Sequence, residues 1–449
     1  MKSWRLLLSV LATIPCFSTS GVAQSQPVGA IDAATLVSAP LGNFGGVDYT
    51  RYEAMFAGTT SNNRPFRVPC QFIAPTTPGT GSGTLLFDWL VVSTAATAVG
   101  QEQADARYGM SDAFLFGLGL SYATVRCDVT CIGRQSPIPD STRPWSDGLL
   151  DKSSEFITSR GDEYDIVVSY VRALRTDPVA APLLGPITRR TGFGYSAAGS
   201  RLRGLLRLQA GVGLFDFTLV GGAGIGVDHP AGNGVGYRNV EREPLAGAGL
   251  EIDVQTETEV VASGASKAWH QEPNYRSYEI AGASHIRAID CAEFGLVDPA
   301  GANPAEWTPF LRAMFVAGLR WCDGVSPPAT LWLGAPNDAK IQRDANGNAL
   351  VTHVGGVALA TSGFLRLPEV AVGENRYIPY APQFNDGSFL GLFRSIGGSH
   401  VDLTDSITSH ATYVAQITQH ALAMQAGRYL LPADAAAIIQ RAIQSNIGN

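Results

Sequence analysis

Positive charge is scarce in this sequence of 449 residues, and its lysines and arginines are scattered. The formal net charge is −7 at pH 7, and only 16% of the residues are charged. Proteins that bind nucleic acid usually carry a basic stripe that neutralises phosphates, so we expect no nucleic acid partner. A hydrophobic content of 45% in a chain of this length can build a large buried core. The composition therefore predicts a globular protein.

Long apolar runs are missing beyond the N-terminus. There, Lys2 and Arg5 precede a short apolar stretch, and residues 21–23 have the small side chains that a signal peptidase reads. We expect a signal peptide over residues 1–23, with an uncleaved anchor as the alternative. No later stretch has the apolar length of a membrane helix. The mature chain is expected to be secreted or periplasmic and to have no transmembrane segment.

Cysteine is also rare, with six residues in the whole chain. Cys16 would leave with the signal peptide, and the odd number that remains allows at most two disulfide bonds in an oxidising compartment. We predict a bridge between Cys291 and Cys322, which flank a helical segment. The sequence "CDVTC" at residues 127–131 has no second Cys or His pair at matching spacing, so we expect no metal site.

From residue 83 onward, strand-like and helix-like segments alternate. The helix-like segments include "DIVVSYVRALRT", "AAGSRLRGLLRLQ" and "WTPFLRAMFVAGLRWC"; the strand-like segments are "GTLLFDWLVVST", "SYATVRCDV", "ITRRTGFGY", "LFDFTLVGG", "LEIDVQTETE" and "RSYEIAGAS". This alternation predicts an α/β fold whose mostly parallel central sheet has helices on both faces. We expect a core over residues 24–325 and a C-terminal extension packed on it over residues 326–449. Reactive groups should collect at the carboxyl ends of the strands.

Ser196 lies at one of these strand ends, in the sequence "TGFGYSAAGSRLRG". The pattern from Gly194 to Ala198 differs from G-x-S-x-G only in its last residue. Small residues allow a sharp strand-to-helix turn that exposes the serine, and the following helix N-terminus favours developing negative charge. An ordinary glycine-rich turn is the alternative interpretation.

An acid and a histidine follow Ser196 in the order that a serine hydrolase on such a sheet requires. Glu257 and Glu259 end the segment "LEIDVQTETE", and His285 comes just after the next strand. We predict a catalytic triad of Ser196, Glu259 and His285. Glu257 is the alternative acid, because the end of a strand can shift by two residues in sequence-based assignment.

The sequence also resembles a known family, the bacterial α/β-hydrolase-domain proteins that are similar to secreted carboxylesterases. The resemblance covers nearly the whole mature chain and depends on "FDWLVVS", "GYSAAGSRL", "IDVQTETE", "YEIAGASHI", "WCDGVSPP", "RDANGNA" and "LLPADAAAII". It implies an α/β-hydrolase fold and the same triad of Ser196, an acid in "QTETE" and His285. Relatives often have asparagine in place of Val91 and usually have aspartate in place of Glu259.

We predict a secreted serine hydrolase that needs no cofactor. The favoured activity is that of a carboxylesterase acting on a small-molecule or polymer ester. The oxyanion is expected to bind the backbone N–H of Ala197 and a second donor near Ser93 or Thr94. An amidase or acyltransferase with the same triad is one alternative. A catalytically silent binding protein on the same fold is another.

Two further motifs resemble binding loops. "GGAGIG" at residues 221–226 follows a strand as a dinucleotide-binding loop does, but no helix pattern comes after it, so we expect it to line a pocket mouth or support a lid. "RDANGNA" around Asp344 resembles a calcium loop without the later glutamate, and we predict a tight turn there. His400, in "GGSHVDLTD", comes too late for the triad order but could still reach a substrate.

Overall fold

A sheet of nine strands in the order β1-β2-β3-β5-β4-β6-β7-β8-β9 forms the centre of the protein. The structure is a computed structural model, and it describes residues 28–89, 106–127, 160–223, 247–263, 273–289, 301–334, 341–359, 365–386 and 389–449. The strands are β1 (Val28–Phe44), β2 (Val47–Thr59), β3 (Pro65–Pro75), β4 (Thr84–Asp88), β5 (Ser121–Val125), β6 (Arg189–Tyr195), β7 (Phe217–Gly221), β8 (Leu250–Thr256) and β9 (Tyr275–Ile280).

Strand β5 pairs in parallel with β4, and the parallel arrangement continues from β4 through β6, β7, β8 and β9. The predicted α/β class with a mostly parallel sheet is therefore confirmed. Strands β1, β2 and β3, which the sequence pattern did not predict, add an antiparallel section beside β5. The carboxyl ends of β4, β6, β8 and β9 lie at one edge of the sheet, where the side chains discussed below meet.

Helices cover both faces of this sheet. They are α1 (Ala106–Met110), α2 (Asp112–Gly117), α3 (Arg160–Ala173), α4 (Ala180–Leu184), α5 (Ser196–Leu205), α6 (Glu257–Ser263), α7 (Thr308–Cys322), α8 (Pro368–Val372), α9 (Phe389–Gly397), α10 (His410–Ala426) and α11 (Pro432–Gln444). Leu85, Phe87 and Val220 pack on one face of the sheet against α3, α4 and α5, whereas Leu86 and Leu219 belong to a second cluster with α1, α2 and α7. Within the described residues, no helix combines the length and apolar character needed to cross a membrane.

Residues 326–449, called the C-terminal region below, contain α8 to α11 and two small sheets. These sheets are formed by β10 (Leu331–Trp332), β11 (His353–Val354) and β12 (Val357–Ala358), and by β13 (Asn375–Ile378) and β14 (Ser399–Asp402). Trp332 donates through its indole N–H to Ser277 Oγ of β9 at 3.0 Å. The rings of Phe310 in α7 and Tyr429 stack with centroids 6.1 Å apart. The region thus shares its apolar core with the sheet and α7.

The thiol of Cys322, at the end of α7, is free. The prediction that Cys322 forms a disulfide bond with Cys291 is therefore wrong. Cys291 itself lies outside the described residues. Burial raises the pKa of the Cys322 thiol to about 11, while the charges of Asp216 and Asp323 act in the same direction and Arg189 opposes them. The prediction used only the positions of the two residues along the chain, and these say nothing about where the side chains point.

Asp344 forms the predicted tight turn. Its Oδ1 accepts from the backbone N–H groups of Asn346 at 3.0 Å and Asn348 at 2.9 Å. Its Oδ2 accepts from the Arg366 guanidinium at 2.7 Å. The carboxylate thus closes its own loop and pairs with an arginine. Within the residues that the structure describes, no group of three or more His, Cys, Asp or Glu side chains could hold a metal ion.

Candidate active site

Ser196 occupies a strained turn between β6 and α5. Its φ is +56°, a left-handed conformation that non-glycine residues rarely adopt and that is often found at functional sites. Close packing explains why its neighbours are small: a Cβ on Gly194 would lie 2.8 Å from the carbonyl oxygen of Ala198, and one on Gly199 would lie 2.9 Å from that of Gly194. Ala198 is buried and has room for its methyl group. Alanine is therefore compatible with this turn at the last position of the motif.

His285 contacts both Ser196 and Glu259. It lies five residues after the end of β9, and its Nε2 is 2.9 Å from Ser196 Oγ. Its Nδ1 donates to Glu259 Oε1 at 2.5 Å, which leaves Nε2 free to accept the serine proton. The side chains of His285 and Glu259 are 13% and 6% exposed, so this hydrogen bond is largely shielded from water. The structure thus brings together the three residues that were predicted as a triad.

Glu259 lies in the first turn of α6, not on a loop beyond the strand. Strand β8 continues to Thr256, and α6 begins at Glu257. Oε2 of Glu259 accepts from both the backbone N–H and the hydroxyl of Thr256, at 2.7 Å and 2.6 Å. This is one half of a capping box, in which an acid at the third helical position binds the capping residue. The helix start therefore fixes the carboxylate that faces His285.

Glu257, the alternative acid, directs its two carboxylate oxygens elsewhere. Oε2 accepts from the backbone N–H of Gly282, and Oε1 accepts from the Arg343 guanidinium, both at 2.7 Å. Burial raises the pKa of the Glu257 carboxyl, and the positive charge of Arg343 opposes that shift. Glu257 therefore connects the loop before His285 to the C-terminal region.

Tyr195, which the sequence analysis did not select, contacts His285 from the strand side. Its hydroxyl donates to the backbone carbonyl of His285 at 2.6 Å, and its ring stacks on Trp307 at 5.1 Å. A Cβ on either Gly221 or Gly222 would lie 2.6 Å from atoms of this ring. The first two glycines of "GGAGIG" therefore make room for Tyr195. Residues 224–226 of that motif lie outside the described residues.

The oxyanion side of the site is described in part. Ala197 is exposed in the first turn of α5, where backbone N–H groups have no partner within the helix. Ser93 and Thr94 lie outside the described residues. Asp88, at the end of β4, accepts from the backbone N–H of Ala106 at 2.7 Å and from the hydroxyl of Tyr122 at 3.0 Å. This buried carboxylate therefore holds the first residue of α1 next to the end of β4.

His400 makes a structural contact. It lies in β14, and its Nδ1 donates to the backbone carbonyl of Ala302 at 2.8 Å. This bond ties Nδ1 of His400 to the segment before α7.

Comparison with family models agrees with this architecture. A family model described as "Alpha/beta hydrolase domain" matches residues 46–440. Among solved structures, PNB esterase is similar at 16% identity with a TM-score of 0.22, and the match covers 35% of this chain and 29% of that chain. The match thus spans less than a third of the length of PNB esterase. No curated protein matches the chain. Because the family model covers most of its length, the chain belongs to the alpha/beta hydrolase domain family.

Proposed function

We propose that this protein is a serine hydrolase that cleaves carboxylic esters with Ser196 as nucleophile, His285 as general base and Glu259 as the acid of the triad. The observation that supports this most directly is the pair of hydrogen bonds at His285. One imidazole nitrogen faces the serine hydroxyl at 2.9 Å, and the other faces the carboxylate at 2.5 Å. The strained φ of Ser196 supports the same role, because a residue in that conformation presents its side chain above the sheet edge.

The reaction begins when Ser196 Oγ attacks the ester carbonyl carbon and its proton moves to His285 Nε2. Glu259 stabilises the imidazolium that forms. The tetrahedral intermediate carries an oxyanion, which the backbone N–H of Ala197 and a second donor near Ser93 or Thr94 would stabilise. Nε2 then gives the proton to the departing alkoxide, the C–O bond breaks, and an acyl-serine remains. Water, deprotonated by His285, hydrolyses that ester and regenerates Ser196.

Low exposure contributes to this chemistry. The attraction between Glu259 and the imidazolium that forms on His285 is strengthened where water is excluded, because the effective dielectric constant is lower there. The Glu259 carboxylate accepts hydrogen bonds from the backbone N–H and hydroxyl of Thr256 and from His285. It therefore needs little reorganisation when the imidazole becomes charged. The N-terminal segment before residue 24 supports the further proposal that the enzyme acts outside the cytoplasm after cleavage of a signal peptide.

The test is Ser196→Ala, assayed on a panel of nitrophenyl esters of graded acyl length beside the matching anilides. We expect the wild type to hydrolyse at least one ester and Ser196→Ala to lose at least about 10³-fold in kcat. Ser200→Ala is the matched control, because Ser200 lies on the same helix and donates to the backbone carbonyl of Ala223. Ester turnover that persists in purified Ser196→Ala would refute the proposal. A wild type that cleaves only anilides would redirect it to amide substrates.

A further inference from the structure

The loop that carries His285 is held from the side of the C-terminal region. This histidine loop, residues 281–286, follows β9 directly. The backbone carbonyl of Pro379 accepts from the hydroxyls of Thr258, at 2.6 Å, and Ser284, at 3.1 Å. The backbone N–H of Ile286 donates to the carbonyl of Ile396 at 3.4 Å. The loop therefore has hydrogen-bond partners in two segments of residues 326–449. The Pro379 carbonyl accepts two of these bonds, one from the loop and one from the neighbouring Thr258.

Thr258 is the side chain that joins His285 itself to this arrangement. It is 2% exposed and lies between the two glutamates in the first turn of α6. Its Oγ1 accepts from the backbone N–H of His285 at 3.1 Å and donates to the carbonyl of Pro379 at 2.6 Å. A hydroxyl can do both at once because it has one proton and two lone pairs.

Both backbone polar groups of His285 are thus bonded by side chains that adjoin the other two members of the site. Thr258 precedes Glu259 and binds the His285 N–H. Tyr195 precedes Ser196 and binds the His285 carbonyl at 2.6 Å. These two bonds therefore hold the backbone of His285 in place relative to the segments that carry Ser196 and Glu259. A shift of the backbone would disturb these two bonds as well as those of the imidazole.

We propose that Thr258 is a positioning residue for the reaction, through which the C-terminal region sets the place of His285 between Ser196 and Glu259. This inference rests on the proposed function, because it concerns the general base of that reaction. Misplacement of a catalytic group by about 1 Å can cost about 10²-fold in rate. The separations of 2.9 Å and 2.5 Å on the two sides of the imidazole leave little tolerance for such a shift.

The test compares Thr258→Val with Thr258→Ser. Valine has nearly the same shape but lacks the hydroxyl, so both hydrogen bonds are lost while the packing is kept. Serine keeps the hydroxyl. We expect Thr258→Val to lower kcat by about 10- to 100-fold with KM changed less than about threefold, and Thr258→Ser to restore most of the activity. Backbone amide exchange in residues 281–286 should be faster in Thr258→Val than in Thr258→Ser.

Thr218→Val is the matched control, because Thr218 is also buried and donates from its hydroxyl to the backbone carbonyl of Leu250 at 3.2 Å. A general loss of stability would affect both valine variants alike, whereas the proposed role predicts a fall in kcat for Thr258→Val alone. Wild-type kcat in folded Thr258→Val, or an equal fall in Thr218→Val, would overturn the inference. Turnover that depends on Ser196 but not on Thr258 would overturn this inference alone. Turnover that survives Ser196→Ala would refute the proposed function and the role of Thr258 with it.

Discussion

Replacing Glu259 by glutamine should stop catalysis because it would move the imidazole proton of His285 from Nδ1 to Nε2. Oε2 of Glu259 accepts from the buried backbone N–H of Thr256 at 2.7 Å. That position requires an acceptor, so the carbonyl oxygen of glutamine should take it. The amide NH₂ would then face His285 Nδ1, where the carboxylate now accepts a proton. Two donors would meet, and the ring would have to move its proton to Nε2.

An Nε2–H cannot accept the proton of Ser196, and the amide also cannot stabilise an imidazolium. Loss of the triad acid by the same change costs about 10⁴-fold in kcat in a well-studied serine protease. We expect a fall of about 10³- to 10⁴-fold here, which corresponds to about 4 to 5 kcal/mol in the activation free energy. The measurement is kcat for the best nitrophenyl ester at saturating substrate, with Tm recorded to show that the variant is folded.

Glu257→Gln is the matched control, because it makes the same change two residues away in the same helical turn. Glu257 bonds Gly282 and Arg343, so its loss should lower Tm and leave kcat within about tenfold of the wild type. Full activity in Glu259→Gln together with an inactive Glu257→Gln would refute the reasoning and transfer the acid role to Glu257.

Three further changes test the packing around the site. Ser196→Gly should have a higher Tm than Ser196→Ala, by an amount equivalent to about 1 kcal/mol, because only glycine adopts a φ of +56° without strain; equal Tm values would contradict this. Arg343→Met removes the cation that opposes the burial-induced rise in the pKa of Glu257. Without this cation the folded pKa of Glu257 rises further, and a carboxyl whose folded pKa is raised binds its proton more tightly when folded. The stability loss of Arg343→Met relative to the wild type should therefore grow as pH rises above the already raised pKa of the wild-type carboxyl; a pH-independent loss would contradict this. Gly221→Ala would bring a methyl group to 2.6 Å from the ring of Tyr195, so both Tm and kcat should fall, and an unchanged kcat would mean that this ring does not help to place His285.

The sequence predicted the parallel half of the sheet because buried parallel strands are continuous apolar runs separated by helical patterns. Strands β1 to β3 were missed. β1 is an edge strand of 17 residues with register shifts after Asp32 and Pro40, and these interrupt the alternation that would have indicated it. Ser196 could be anticipated since the small residues around it are required by contacts shorter than 3 Å.

The local setting of the acids was predicted less well than their proximity to His285. The sequence "TETE" from Thr256 to Glu259 has the spacing of a capping box, which would have predicted a helix start and not a loop. Tyr195, Thr258 and Asp88 could not be selected from the sequence. Their roles depend on hydrogen bonds to backbone groups far along the chain, at His285, Pro379 and Ala106. No local pattern encodes such partners.

The central claim is that Ser196 is an activated nucleophile, and labelling with a fluorophosphonate probe tests it without knowledge of the substrate. The probe forms a covalent bond with a serine whose hydroxyl is deprotonated by a neighbouring base. We predict one adduct per chain, mapped by peptide mass to Ser196, lost in Ser196→Ala and strongly slowed in His285→Ala. The control Ser200→Ala should label at the wild-type rate. A folded wild type that stays unlabelled, or an adduct that forms equally in Ser196→Ala, would contradict the account.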